Sequence, residues 1–216
     1  MIRHALAPVN ARAAAALQLP RTIEATRAVA LTFDDGPHPE GTPRILEILA
    51  EHQAHATFFL VGEQVAKRPQ LAQRILAEGH AIALHAHRHR LQLRLSTQEI
   101  KDDYTRGLQA IQDATGTNPT LHRPPYGIYS PAGLEQARNA GLHPLLWSAW
   151  GKDWRKFTTP QRIAARVIKD LHPGTVILLH DADFYSAKDS HRRTAQALTR
   201  ILSHLQSSKT ATVLSV

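Results

Sequence analysis

The sequence predicts an α/β fold, a distorted (β/α) barrel of about seven parallel strands in a single domain. Short apolar runs alternate with amphipathic stretches from residue 28 onward, the order expected where helices connect parallel strands. Four of the apolar runs end in polar clusters: Asp34-Asp35, His85 to His89, Arg123 to Gly127 and His180-Asp181. In a barrel all strand C-termini meet at one mouth, whereas an open sheet brings fewer of them together. A length of 216 residues with 43% hydrophobic residues suits one domain with a sizeable core, and 6% aromatics make that core mainly aliphatic.

The elements follow in order. Residues 1–22 form an Ala-rich lead broken by Pro8, Arg12 and Pro20, without the continuous apolar stretch of a signal peptide. This lead is expected to be poorly ordered or to lie on the surface, ahead of one domain over 23–216. Residues 28–33 read as a buried strand with charge at its C-terminal tip. Thr42 caps a helix over 42–52, with Pro43 just inside it. A strand over 56–61 precedes a helix over 69–78 that stops at Gly79. A strand over 81–84 precedes a long helix over 96–115, opened by a Ser96/Glu99 capping box and closed by Gly116. Strand 120–123, helix 131–140 ending at Gly141, and strand 143–147 come next. Helix 160–171 ends at Pro173-Gly174, and strand 175–180, helix 192–205 and strand 210–214 complete the alternation.

Composition excludes several classes. Without cysteine there is no disulfide, zinc-thiolate site or thiol nucleophile. No stretch approaches the ~18 apolar residues that span a membrane. The net charge of +8 comes from scattered Lys and Arg, with no run of five or six. A solvated basic surface, or attraction to an anionic cell wall, fits that scatter better than a nucleic-acid site.

The polar clusters carry the chemistry. Adjacent side chains at a strand end diverge, so Asp34 and Asp35 can serve two jobs, one binding a metal while the other takes a proton from water. Asp-Gly-Pro alone is equally a turn. His85 and His89 are spaced so that two imidazoles converge on one ion when the segment turns helically. Chance alone supplies about one such pair in a chain with 14 histidines, so the position directly after a strand matters more than the spacing. Between them, His87 is expected to be a bystander or to line the groove. In Arg123-Pro124-Pro125-Tyr126-Gly127 two prolines stiffen a loop, and the guanidinium can pin a carboxylate bidentately. Trp147 reads as core, Trp154 equally as core or as a sugar-stacking face. His180 at a strand tip beside Asp181 can act as a general acid.

Taken in order, Thr32-Phe33-Asp34-Asp35-Gly36-Pro37, His85-x-x-x-His89, Arg123-Pro124-Pro125-Tyr126-Gly127, Asp153-Trp154 and Leu179-His180-Asp181 resemble the five-motif pattern of the NodB-homology polysaccharide deacetylases, carbohydrate esterase family four. The resemblance runs from about residue 28 to the C-terminus. It implies a distorted barrel with an open groove and one divalent ion held by Asp35, His85 and His89. Zinc suits two imidazoles and a carboxylate, and cobalt, nickel or manganese also accept such a site. It further implies Asp34 as general base held by Arg123, the Tyr126 backbone N–H as oxyanion donor, and His180 as general acid partnered by Asp153. Leu179, Trp154 and Pro124 would line the substrate pocket. One departure stands out: where the family often has Ser or Thr after the first His of the second motif, this chain has Ala86, so another group must steady the turn.

The expected activity is therefore metal-dependent removal of acetyl groups from N-acetylglucosamine polymers, chitin oligomers or peptidoglycan, by a monomer without nucleic-acid partners or a membrane span. An acetylxylan esterase, a cyclic-amide hydrolase and a non-catalytic glycan-binding module are the alternatives. A polymer substrate favours an extracellular or cell-wall location, although the lead carries no convincing export signal.

Overall fold

The computed structural model describes residues 2–213 of the 216, with side chains as far as Thr210. In chain order the elements are α1 (Ile2–Leu6), α2 (Ala11–Ala16), β1 (Ala28–Asp34), α3 (Gly41–Glu51), β2 (Thr57–Leu60), α4 (Gly62–Lys67), α5 (Pro69–Ala77), β3 (Ala81–Leu84), α6 (Thr97–Thr115), β4 (Leu121–His122), α7 (Pro131–Asn139), β5 (His143–Pro144), β6 (Ala149–Trp150), α8 (Pro160–Lys169), β7 (Val176–His180), α9 (Ser190–Ser207) and β8 (Ala211–Val213). The expected strand 210–214 corresponds to β8, with Leu214 outside the described residues.

Every named strand pair is parallel, and the sheet runs β5-β4-β3-β2-β1-β7-β6, with β8 added to the first residues of β1. The sheet curls into a half-barrel whose two end strands are consecutive in sequence. The expected strand over 143–147 shortens to β5, and β6 begins beyond it at Ala149, because the carbonyls between them bond elsewhere. Pro144 has no N–H to give. The carbonyls of Leu145 and Leu146 accept from the Arg123 guanidinium at 2.9 Å each, and that of Trp147 from Arg21 Nε at 2.7 Å. The Leu146 N–H donates to Pro20 O at 2.8 Å. Side chains and the lead thus satisfy groups that a neighbouring strand would otherwise take.

Two local signals hold closely. Ser96 and Glu99 form the capping box of α6, and Gly116 closes that helix in the left-handed conformation at φ 72°. Thr42 differs: it lies inside α3, and its hydroxyl accepts the His38 N–H at 2.7 Å. α4 is an addition that the sequence did not signal, since Val61 ahead of it offers no side-chain cap and six residues are too short for a periodic stripe.

The lead departs furthest from expectation. It forms α1 and α2, and Ala7, Ala14 and Leu19 are buried in the core cluster. Asn10 caps α2 by accepting from Ala13 N at 3.1 Å. Small alanine side chains let the two helices approach closely, and Arg138 adds a bond to Leu17 O at 3.1 Å. Removing the α6 cap by Ser96→Ala should lower stability by about 1 kcal/mol, measured from the urea unfolding midpoint at unchanged slope.

Candidate active site

Strand register delivers the polar groups to one face. Asp34 pairs with His180 and Thr32 with Leu178 across β1 and β7, and Asp34 pairs with Phe59 across β1 and β2. Because side chains alternate along a strand, Thr32, Asp34, Leu178 and His180 point to the same side. The same alternation corrects one expectation. Leu179 points away, packing with Ile163 of α8 near Gly151, and Leu178 takes the place in the cavity wall. Leu179 and His180 could not both face the pocket from neighbouring positions of one strand.

Arg123 sits at the centre, with no solvent exposure. Its Nη1 donates to Asp34 Oδ1 at 2.7 Å and to Thr32 Oγ1 at 2.9 Å, and its Cζ lies over the Phe59 ring, 4.0 Å from the centroid. Asp34 is thereby held through one oxygen, leaving Oδ2 unclaimed by the guanidinium. Thr32 passes the network on, donating to Ile177 O of β7 at 2.6 Å.

Asp35 would project away from Asp34 in an extended strand. Instead it adopts φ 81°, and both carboxylates line one cavity. His85 Nε2 and His89 Nε2 each stand 3.4 Å from Asp35 Oδ1, an oxygen buried without a hydrogen-bond partner. Donors arranged tetrahedrally at ~2.1 Å from an ion are about 3.4 Å apart, so the three groups fit a zinc-like cation. Their protonation fits as well. His85 Nδ1 donates to Arg123 O at 2.8 Å, which leaves the Nε2 lone pair toward Asp35. Burial pushes His89 down to about 4, keeping its ring neutral. Burial alone would raise Asp35, but the surrounding imidazoles of His85, His180 and His89 outweigh it and hold the carboxyl at about 2.

A second His/Asp group, His38, Asp183 and His191, fits a cation poorly. His38 Nδ1 accepts the N–H groups of Glu40 and Gly41 at 3.2 and 2.9 Å. The neutral ring therefore carries its hydrogen on Nε2, 3.2 Å from Asp183 Oδ1, with no lone pair to offer there.

Opposite Asp35, His85 and His89, Asp153 is fully buried and accepts from His180 Nδ1 at 2.9 Å, from His180 N at 2.8 Å and from Thr194 Oγ1 at 2.8 Å. Burial pulls the His180 pKa down, but the Asp153 charge and hydrogen bond dominate and raise it to about 10. Asp181 lies beneath the Asp35 turn, where it accepts from the Thr42 hydroxyl. A side chain at Gly36 would collide with its carboxylate, and burial raises its pKa to about 7.

The cavity holds about 330 Å³ and is walled by Trp147, Trp150, Trp154, Tyr126 and Tyr185 above this floor. Trp147 is both core and wall, 3% exposed. Pro124, expected in the pocket, is buried in the loop and does not line the cavity; the tight turn it opens presents Tyr126, at φ 63°, and Gly127 instead. A larger depression of about 580 Å³ at the opposite end of the sheet includes Arg27, His172 and Lys209, and contains none of the groups described above.

The family model described as "Polysaccharide deacetylase" matches residues 23–145. The chain belongs to the polysaccharide deacetylase family. It is 37% identical over 191 residues to a chitooligosaccharide deacetylase of Bradyrhizobium sp. (strain ANU 289), covering 85% of this chain and 87% of the relative. It is 34% identical over 182 residues to a peptidoglycan-N-acetylglucosamine deacetylase of Bacillus cereus, covering 83% and 82%. The crystal structure of the Bc1960 peptidoglycan N-acetylglucosamine deacetylase superposes with a TM-score of 0.83 at 31% identity, over 90% of this chain and 89% of that one.

In this deacetylase the group that steadies the turn at Ala86 is Asp103. Ala86 has φ 68°, and the Asp103 carboxylate accepts the N–H groups of His87 and Arg88 at 2.8 and 3.2 Å, with Arg90 Nη2 adding a third bond at 3.2 Å. Gly107 lets α6 close on this loop, since an added Cβ would lie 3.1 Å from His87 N. Motif reading missed Asp103, yet a signal existed: it falls on the buried stripe of Ile100, Tyr104, Gly107 and Ile111 at helical spacing. Tyr185 was missed too. It stacks on His89 with ring centroids 4.2 Å apart and donates to Glu63 at 3.0 Å, from an irregular loop with no periodic signal. Asp103→Asn should weaken divalent-metal binding about 10-fold in calorimetric titration, whereas Asp102→Asn, on the exposed face, should leave it unchanged.

Proposed function

We propose that this deacetylase hydrolyses the acetamide of N-acetylglucosamine units in a glycan, chitin oligomers or peptidoglycan, with one zinc ion held by Asp35, His85 and His89. The observation that carries the reading is the division of labour between two adjacent carboxylates, Asp34 on the Arg123 guanidinium and Asp35 facing two imidazole Nε2 atoms. A divalent cation on that trio would polarise the acetyl carbonyl and acidify water. The named relatives, one acting on chitooligosaccharide and one on peptidoglycan N-acetylglucosamine, support the substrate class.

Each protein group then has one task. Asp34 Oδ2 accepts the proton of the attacking water, while Arg123 fixes the carboxylate and keeps its negative charge neutralised. The Tyr126 N–H, in a loop stiffened by Pro124 and Pro125, donates to the oxyanion as the carbonyl becomes tetrahedral. His180, charged through its pair with Asp153, delivers the proton to the sugar nitrogen as the C–N bond breaks, releasing acetate and a free amine. The tryptophan wall excludes water and presents flat apolar faces to the sugar.

Asp34→Asn should abolish most acetate release from N-acetylglucosamine oligomers while retaining zinc, whereas Asp35→Asn should lose both; equal loss of zinc in the two variants would overturn the assignment. The His180 pKa is raised above its unfolded value of 6.5 to about 10, so its contribution to stability is fully present below 6.5 and lost as pH rises through about 10. Activity should follow the same proton. The alkaline limb of kcat/KM should move to lower pH in Asp153→Asn, and an unmoved limb would show that another group supplies the proton.

A further inference from the structure

The family model begins at residue 23, yet Ala5, Pro8 and Val9 line the same cavity as Asp34, Asp35 and His180. Their attachment to the cavity wall is specific. Arg21 donates to the carbonyl of Trp147 at 2.7 Å and to that of Pro8 at 3.3 Å, so one side chain binds the lead and the wall together. Pro8 is buried over Gly127, where an added Cβ would lie 3.2 Å from Pro8 Cγ and 2.5 Å from the Trp147 ring. Val9 is 57% exposed and Tyr126 56%, which places both at the rim rather than on the catalytic floor. All three residues that the lead contributes to the lining are apolar and uncharged.

We infer that Ala5, Pro8 and Val9 form a substrate-positioning wall of this chain, in which Val9, on the rim with Tyr126, packs against the sugar unit next to the one that loses its acetyl group. A pyranose presents an apolar face of C–H groups, and a rim of Val and Tyr complements it without demanding charge. A neutral acetylated glycan fits this wall. Contacts at the rim act equally on ground state and transition state, so they set KM and leave kcat alone. The inference rests on the glycan-deacetylase reading of the site.

The test compares Val9→Asn with Ile2→Asn, a control 78% exposed and absent from the cavity lining. The three tryptophans of the chain all line the cavity, so intrinsic fluorescence reports occupancy of that site. Zinc-loaded parent and variants are titrated with N-acetylglucosamine and its oligomers of increasing length, and kcat and KM are measured on the same sugars. The wall predicts that Val9→Asn weakens binding and raises KM roughly fivefold for the longer oligomers. It predicts little change for the monosaccharide N-acetylglucosamine, an unchanged kcat and a parent-like Ile2→Asn. Equal binding at every length, equal loss at every length, or the same loss in Ile2→Asn overturns it. If the parent neither binds nor turns over these oligomers, the substrate reading falls instead. The same comparison is then made on acetylated xylo-oligomers, where the same length-dependent loss supports the wall and its absence removes it.

Discussion

Arg123 carries its charge with no exposure to solvent, and all three guanidinium nitrogens are engaged, on Asp34, Thr32, Leu145 and Leu146. Removing one partner from such a buried pair typically costs 3–5 kcal/mol, because the other charge is left without compensation. Here the pair does two things at once. It fixes the carboxylate assigned as base, and it supplies donors to the carbonyls that bridge β5 and β6, where the sheet has no neighbouring strand to offer. The backbone oxygen of the same residue orients His85. The gap between β5 and β6, the proposed base and the tautomer of a candidate metal ligand therefore share one residue, and the Phe59 ring beneath the guanidinium adds a cation–π contact to its support.

Around this centre the backbone is strained where function needs it. Asp35, Ala86 and Tyr126 all occupy the left-handed region without being glycine, at a cost of about 1–3 kcal/mol each. Each of these turns redirects a strand end. Asp35 comes round to the side of Asp34, Ala86 releases the chain toward His89, and Tyr126 comes to the cavity rim. Compensation comes from buried polar groups behind the turns, Asp103 under the second motif and Asp181 under the first. The arrangement explains why Ala86 is tolerated where a hydroxyl is common in the family: the bonds to that turn come from α6 instead.

Much of this was legible in the sequence because parallel strands place functional groups at their C-terminal ends. The catalytic and metal-ligand candidates Asp34, Asp35, His85, His89, Arg123, Asp153 and His180 all converge, and each follows a short apolar run or a recognisable motif. What failed, failed for identifiable reasons. The motif as a block points to Leu179, whereas the two-residue period of a strand selects Leu178. The strand over 143–147 was drawn too long because carbonyls captured by arginine side chains leave no trace in apolar pattern. The lead was underrated since its docking depends on small alanines and on long-range bonds from Arg21, Arg138 and Leu146. Tyr185 lies on a loop whose path is set by tertiary contacts alone.

The account stands on one buried guanidinium acting in both the sheet and the site. Its most direct test is Arg123→Lys, which keeps the charge and loses the planar fork, read as kcat for acetate release together with the unfolding midpoint. A shared role predicts that both fall, kcat by about 100-fold from misplacement of the Asp34 carboxylate, with zinc still bound. A variant with the parent's kcat and midpoint, or one that lost only one of the two, would contradict it.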